Sequence, residues 1–119
     1  MTQEQKDLLL KDLCARLPYN PLVEYKGESY NVLGIAHERL VLCKPFMSYT
    51  LNENPLVEEV KPYLLPISNM TKEQKKYIRD KHPFGVTHEV FDWLDKNNYD
   101  YRGLIEQDLA IDATNLNIY

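Results

Sequence analysis

The sequence predicts an α+β domain on three observations. A capping box, Thr2-Gln3-Glu4-Gln5, opens a segment in which leucines recur at three- and four-residue spacing. From Leu22 to Cys43 the apolar residues alternate with a period of two instead. A second capping box, Thr71-Lys72-Glu73-Gln74, returns the chain to helical signals. Helical and extended segments are thus segregated along the chain, which is α+β order. The expected architecture is an N-terminal helix, a small antiparallel sheet of three to five strands, and two or three C-terminal helices. Closure of that sheet into a half-open small barrel is the alternative. With 119 residues, the chain has the length of a single domain spanning 1–119.

In the first helix, Leu9, Leu10, Leu13, Cys14 and Leu17 form an apolar stripe, and Lys6, Asp7, Lys11 and Asp12 are expected to face water. Pro18 and Pro21 end it, because neither can donate the hydrogen bond a continuing helix needs. Val23 and Tyr25, then Tyr30, Val32, Leu33 and Ile35, read as two strands around Lys26-Gly27-Glu28. Arg39 to Cys43 extends the meander after a turn at His37-Glu38, which would put Cys43 opposite Val32. Both faces of the last two strands carry apolar residues, so one is expected to pack on the first helix and the other beneath a later segment. Met47 to Leu51 is a further candidate strand, and Asn52 to Pro55 a loop. Val60 to Ile67 is extended, with Pro62 and Pro66 suited to a sheet edge.

Pro83 stops the helix begun at Thr71, and Thr87 caps the next, with Val86 and Phe91 placed as a hydrophobic staple. Val90, Phe91 and Leu94 are its expected buried face, with Trp93 half covered. Asn97-Asn98 supplies a left-handed stop, Asp100 caps the short segment that follows, and residues 109–119 read as a loosely docked tail.

Composition excludes several classes of function. The hydrophobic fraction of 44% is too high for a disordered chain. The net charge of -4 removes the electrostatic footprint of a duplex-DNA binder. No segment reaches the length of a membrane span, and the charged start is no secretory signal. Two isolated cysteines, Cys14 and Cys43, form neither a disulfide framework nor a zinc pattern, and fit a reducing cytoplasm.

Candidate chemistry is sparse. Cys43 and His37 are the nearest thing to a nucleophile pair, but the hairpin separates them by the length of a strand. His37, His82 and His88 match no metal-ligand spacing, so no metal or other cofactor is expected. Asp95, Asn97 and Glu106 fall at the first, third and twelfth positions of a calcium-type loop. Tyr99 and Asp100 stand where a ligand and a glycine belong, and Asp100 is better read as a cap. There is no glycine-rich phosphate loop and no nucleophile elbow, so catalysis is not expected.

Three stretches carry a resemblance. Lys6-Asp7-Leu8-Leu9-Leu10-Lys11-Asp12-Leu13-Cys14-Ala15-Arg16-Leu17-Pro18-Tyr19 is the first. The second runs from Glu59-Val60-Lys61-Pro62-Tyr63-Leu64 to Ser68-Asn69-Met70-Thr71, and the third from Asp92-Trp93-Leu94 to Asp100-Tyr101-Arg102-Gly103-Leu104-Ile105. Together they resemble short uncharacterised proteins of gut Bacteroidales, their phages and mobile elements. The resemblance covers roughly half of the chain and leaves out Leu22 to Leu56. At Asp108 the pattern would have glycine. It implies a bacterial or phage cytoplasm and lends no site residue.

The remaining functional signal is a surplus of tyrosine, nine in all. Tyr25, Tyr30, Tyr49 and Tyr63 fall on extended segments and Tyr99 and Tyr101 near the C-terminal helices. These six form the candidate interaction surface. The expected function is a non-catalytic protein-interaction or regulatory role toward a host or phage protein, with homodimer formation a further expectation. The alternative is a single-stranded nucleic-acid module that stacks bases on the sheet tyrosines. Against it, Lys26, Arg39, Lys44 and Lys61 are interleaved with Glu24, Glu28, Glu38, Glu58 and Glu59, which leaves no continuous positive groove.

Overall fold

The structure, a computed structural model, describes residues 1–45, 50–81 and 88–119. It is an α+β fold: an N-terminal helix, a mixed sheet and two further helices. The first helix, α1, spans Gln3–Arg16. Its capping box forms as expected, the Gln5 amide donating to the Thr2 hydroxyl at 3.1 Å and the Thr2 amide to the Gln5 side chain at 3.0 Å. The buried face is Leu9, Asp12, Leu13 and Arg16, not the stripe ending in Cys14 and Leu17. Asp12, expected in water, is fully buried, and Cys14 is exposed. The face is rotated because charged partners for Asp12 lie inside the fold, as described below.

Three antiparallel strands follow: β1 Leu22–Tyr25, β2 Glu28–Ala36 and β3 Arg39–Cys43. Both hairpin turns place their central pair in the left-handed region, Lys26 and Gly27 at φ 51° and 79°, His37 and Glu38 at 52° and 65°. This twist matches the right-handed twist of the flanking strands. A bulge at Leu33 shifts the register, with Val32 opposite Leu42 but Gly34 opposite Val41. Cys43 therefore faces Asn31 and not Val32. The extra residue turns Leu33 outward, where it is 45% exposed. The expected second covered face is not found at this position. The outer edge of β3 is blunted by the loop after it, through bridges from Arg39 to Leu56 and from Cys43 to Thr50. Of the candidate strand Met47 to Leu51, residues 47–49 lie outside the described residues.

β4, Lys61–Pro66, lies inside the sheet and not at its edge. Lys61 and Pro62 pair with β1, Tyr63 and Leu64 with β6 (Ile111–Asp112), and Leu65 and Pro66 with β5 (Tyr99–Asp100). Each neighbour takes only two residues, so a proline interrupts a very short ladder. The pairings with β5 and β6 are parallel, which corrects the all-antiparallel expectation, and the sheet does not close into a barrel.

α2, Lys72–Lys81, begins at the second capping box, where Thr71 and Gln74 exchange bonds of 2.9 and 3.1 Å. α3 spans His88–Lys96. The Pro83 stop, the Thr87 cap and the Val86 half of the staple lie outside the described residues. α3 buries Val90, Leu94 and Asp95, while Phe91, expected in the core, is 42% exposed. Asn98 ends it at φ 65°. Asp100 then accepts the amides of Arg102, Leu104 and Ile105 at 3.3, 3.0 and 2.9 Å, capping a run of turns, not a helix.

The C-terminal segment is docked where a loose tail was expected. Leu109, Ala110 and Ala113 are buried, and the Ala113 amide donates to the Leu64 carbonyl at 2.9 Å. Asp108, where the resembled pattern has glycine, adopts φ 60°. Residues 114–119 are exposed but tethered, Thr114 by Asn69 and Tyr119 by the Tyr63 carbonyl at 2.7 Å.

The main core joins Leu9 and Leu13 of α1 to Val23, Val32, Leu40, Leu42 and Leu64 of the sheet, with Leu104 and Leu109. Burying each such side chain contributes roughly 1.5–3 kcal/mol. A second, smaller cluster holds Met70, Val90, Leu94 and Tyr99, with Ile78 and Trp93 at its margin.

Candidate functional site

The six candidate tyrosines do not form one surface. Tyr25, Tyr30 and Tyr99 are buried, with 6%, 6% and 5% of their area exposed. Tyr25 and Tyr30 pack ring to ring at 6.2 Å, and their hydroxyls donate to Glu53 at 2.7 Å and Glu28 at 2.8 Å. The inward positions of a half-buried sheet take the largest apolar side chains available, and here those include tyrosine. Tyr63 is half-buried, its hydroxyl accepting from Ser29 at 3.2 Å. Tyr49 lies outside the described residues. Tyr99 stacks on Trp93 at 5.8 Å, and its hydroxyl reaches Gln74 of α2 at 3.0 Å. Tyr101 is half-buried and joins a buried cluster of charged groups.

His37 lies exposed in a hairpin turn and His88 exposed at the start of α3, while His82 lies outside the described residues. Cys14 is exposed and Cys43 buried. Among the described residues, no group of three or more histidine, cysteine or acidic side chains is arranged to hold a metal ion. In the calcium-like stretch, the Asn97 amide donates to the Trp93 carbonyl and Asp100 is occupied as a cap.

The chemistry is concentrated where α1, α3 and the segment after β5 meet. Arg16, fully buried, donates through Nε and Nη2 to both oxygens of Asp12 at 2.9 and 3.1 Å, and through Nη2 to the Tyr99 carbonyl at 2.6 Å. Arg102 reaches back to Asp12 at 2.9 Å. From α3, Asp95 lies 4.0 Å from Arg16 Nη1 without a hydrogen bond and instead accepts the Tyr101 hydroxyl at 2.7 Å. The Tyr101 ring has the Arg16 and Arg102 guanidinium groups 5.4 and 4.4 Å from its centre. Two acids and two guanidinium groups balance in charge, so the cluster can be buried. Arg16 Nη1 is its one buried side-chain nitrogen without a partner.

Burial pushes the Asp95 carboxyl above its ordinary value, against the opposing pull of the Tyr101 hydrogen bond and the guanidinium groups. Burial, then the bond to Asp95, pushes the Tyr101 phenol up to about 12. Both side chains line a cleft of about 600 Å3, together with Lys11, His88, Phe91 and Arg102. At its side, the Tyr19 hydroxyl donates to Asp92 of α3 at 2.5 Å. Perturbed groups at the wall of a cleft mark a functional-site candidate. Phe91 lies 5.1 Å from Tyr101, and on the other flank of α3 Tyr77 lies 6.3 Å from Trp93. Phe91 and Tyr77 are 42% and 49% exposed.

Sequence reasoning missed this cluster. Its one local signal was the i, i+4 spacing of Asp12 and Arg16 on the leucine side of α1.

Comparison with protein-family models, curated proteins and solved structures finds no match to the chain. Among the described residues, no helix is long and apolar enough to cross a membrane.

Proposed function

We propose that the chain is a non-catalytic protein-interaction or regulatory protein that meets its partner through exposed aromatic side chains flanking α3, Phe91 on that helix and Tyr77 on α2. In line with the sequence resemblance, the reading places it in a bacterial cytoplasm, as a product of the bacterium or of a phage or mobile element, with a host or phage protein as partner. The supporting observation is that Phe91 and Tyr77 expose large aromatic area on a rigid base, Phe91 against Tyr101 and Tyr77 against Trp93. Aromatic side chains held in one conformation give contact area at low entropic cost, which is why they dominate interface energetics. The single-strand reading loses support, because two of the sheet tyrosines it relies on, Tyr25 and Tyr30, are buried and offer no face to a base.

The test compares affinity purification from the native host using the wild-type chain and the double variant Phe91→Ser, Tyr77→Ser. A protein held by the wild type and lost by a variant with unchanged thermal unfolding supports the reading. No reproducible partner, or one retained by the variant, overturns it. Salt-sensitive binding of labelled oligonucleotides in fluorescence anisotropy would replace it with the nucleic-acid reading.

A further inference from the structure

A second cavity, of about 650 Å3, lies away from the charged cluster, between the turn after α1, β2, the end of α3 and the C-terminal residues. Its polar lining is different in kind. Asn20, Asn31 and Asn98, Tyr19 and Tyr119 are among its lining residues, and Lys96 is the one charged residue among the described residues of its wall. Among the described residues that line it, none has an acidic side chain.

Two of the amides are held by the backbone. The Asn31 side chain donates to the Asn20 carbonyl at 2.9 Å, and the Asn20 side chain to the Val32 carbonyl at 3.3 Å. A carboxamide has one oxygen acceptor and two N–H donors. After these bonds, each amide keeps its oxygen and one N–H, a neighbouring acceptor and donor in fixed orientation. Asn20 is itself fixed in the left-handed region, at φ 48°, where the chain turns from α1 into β1. Side chains locked by supporting hydrogen bonds lose little freedom on binding.

The geometry points to a saccharide site, in which a neutral sugar places pairs of adjacent hydroxyls on the Asn20 and Asn31 amides and a C–H face on the Tyr119 ring. A vicinal diol offers a donor and an acceptor side by side, the complement of a carboxamide edge. A neutral, polyhydroxylated ligand also suits a wall with several amides and a single cation. A nucleotide would need more positive charge for its phosphates than Lys96 alone supplies. The inference rests on this cavity alone and is independent of the α3 contact face.

The test is saturation-transfer NMR on the intact chain with a panel of glucose, galactose, N-acetylglucosamine, lactose, adenosine and a blocked tripeptide. At least one sugar should bind, with a dissociation constant on the order of 1 mM, while adenosine and the tripeptide do not. Asn31→Ala and Tyr119→Ala should each weaken that binding by about tenfold. Tyr119 is exposed, so its variants report on binding even if Asn31→Ala disturbs the turn. Absence of sugar binding, binding unchanged in Tyr119→Ala, or binding of adenosine or the tripeptide alone overturns the inference.

Discussion

Asp12 and Arg16, one turn apart on α1 and both wholly buried, hold each other through two hydrogen bonds, and Arg102 joins the same carboxylate from 90 residues along the chain. Removing Asp12 leaves a buried guanidinium group without its counter-charge. Asp12→Ala should therefore lower unfolding stability by about 3–5 kcal/mol. Asp12→Leu combined with Arg16→Met should cost less, since the wholly buried guanidinium leaves together with its counter-charge and only Arg102, 15% exposed, loses its carboxylate partner. Urea denaturation of both variants checks this, and equal losses would show that packing, not charge, sets the cost.

Asp95 gives a pH dependence of definite sign. Its folded value is raised by burial above the ordinary 3.8, so the fold binds the proton more tightly than the unfolded chain does. Its contribution is fully present below the unfolded value and is lost as pH rises through the folded one. Relative to Asp95→Asn, the wild type should lose stability as pH rises above about 4, the ordinary carboxylate value. The difference between the two denaturation midpoints, followed across that range, isolates this group from Glu28 and Glu53. Their pKa values are lowered by Lys44 and Tyr30 around Glu28 and by Tyr25 and Lys26 around Glu53, and they act in the opposite direction.

The His37-Glu38 turn holds two residues with side chains in the left-handed region. That conformation costs an ordinary residue roughly 1–2 kcal/mol, and Asn-Gly adopts it readily. His37→Asn with Glu38→Gly should raise the stability by about 1 kcal/mol, read as an increased thermal midpoint. A lowered midpoint would mean that the two native side chains hold the turn by contacts of their own.

The two thiols should separate kinetically. Cys14 is exposed on α1 and Cys43 is buried at the end of β3. Ellman's reagent should modify one thiol rapidly in the folded chain and the other only as the chain unfolds, and Cys14→Ser should abolish the rapid phase. Two rapid phases would place Cys43 within reach of solvent.

Local signals in the sequence were realised wherever the determinants sit within a few residues. The capping boxes at Thr2 and Thr71, the two hairpin turns and the stop at Asn98 are of this kind. What escaped depends on distant partners. Asp12 reads as a solvent-facing residue until Arg102 is brought to it, and Cys14 reads as core because it shares the spacing of the leucines. The bulge at Leu33 changes the pairing of Cys43 without leaving a mark in the alternation of apolar residues. The tail reads as loose because the strand that receives it, β4, lies almost 50 residues earlier. The tyrosines were misjudged for a related reason: a large ring at an alternating position suits either face, and only the packing of α1 decides which is inward.

β4 takes its three neighbours from both ends of the sequence, β1 from the first 25 residues and β5 and β6 from the last 21. During synthesis on a ribosome the hairpins can form early, but β4 has no complete set of partners until residue 112 has emerged. A nascent chain therefore carries an unfinished sheet from the emergence of β1 until that of β6. Its final compaction is a late step governed by closure of a long loop, not by local helix formation.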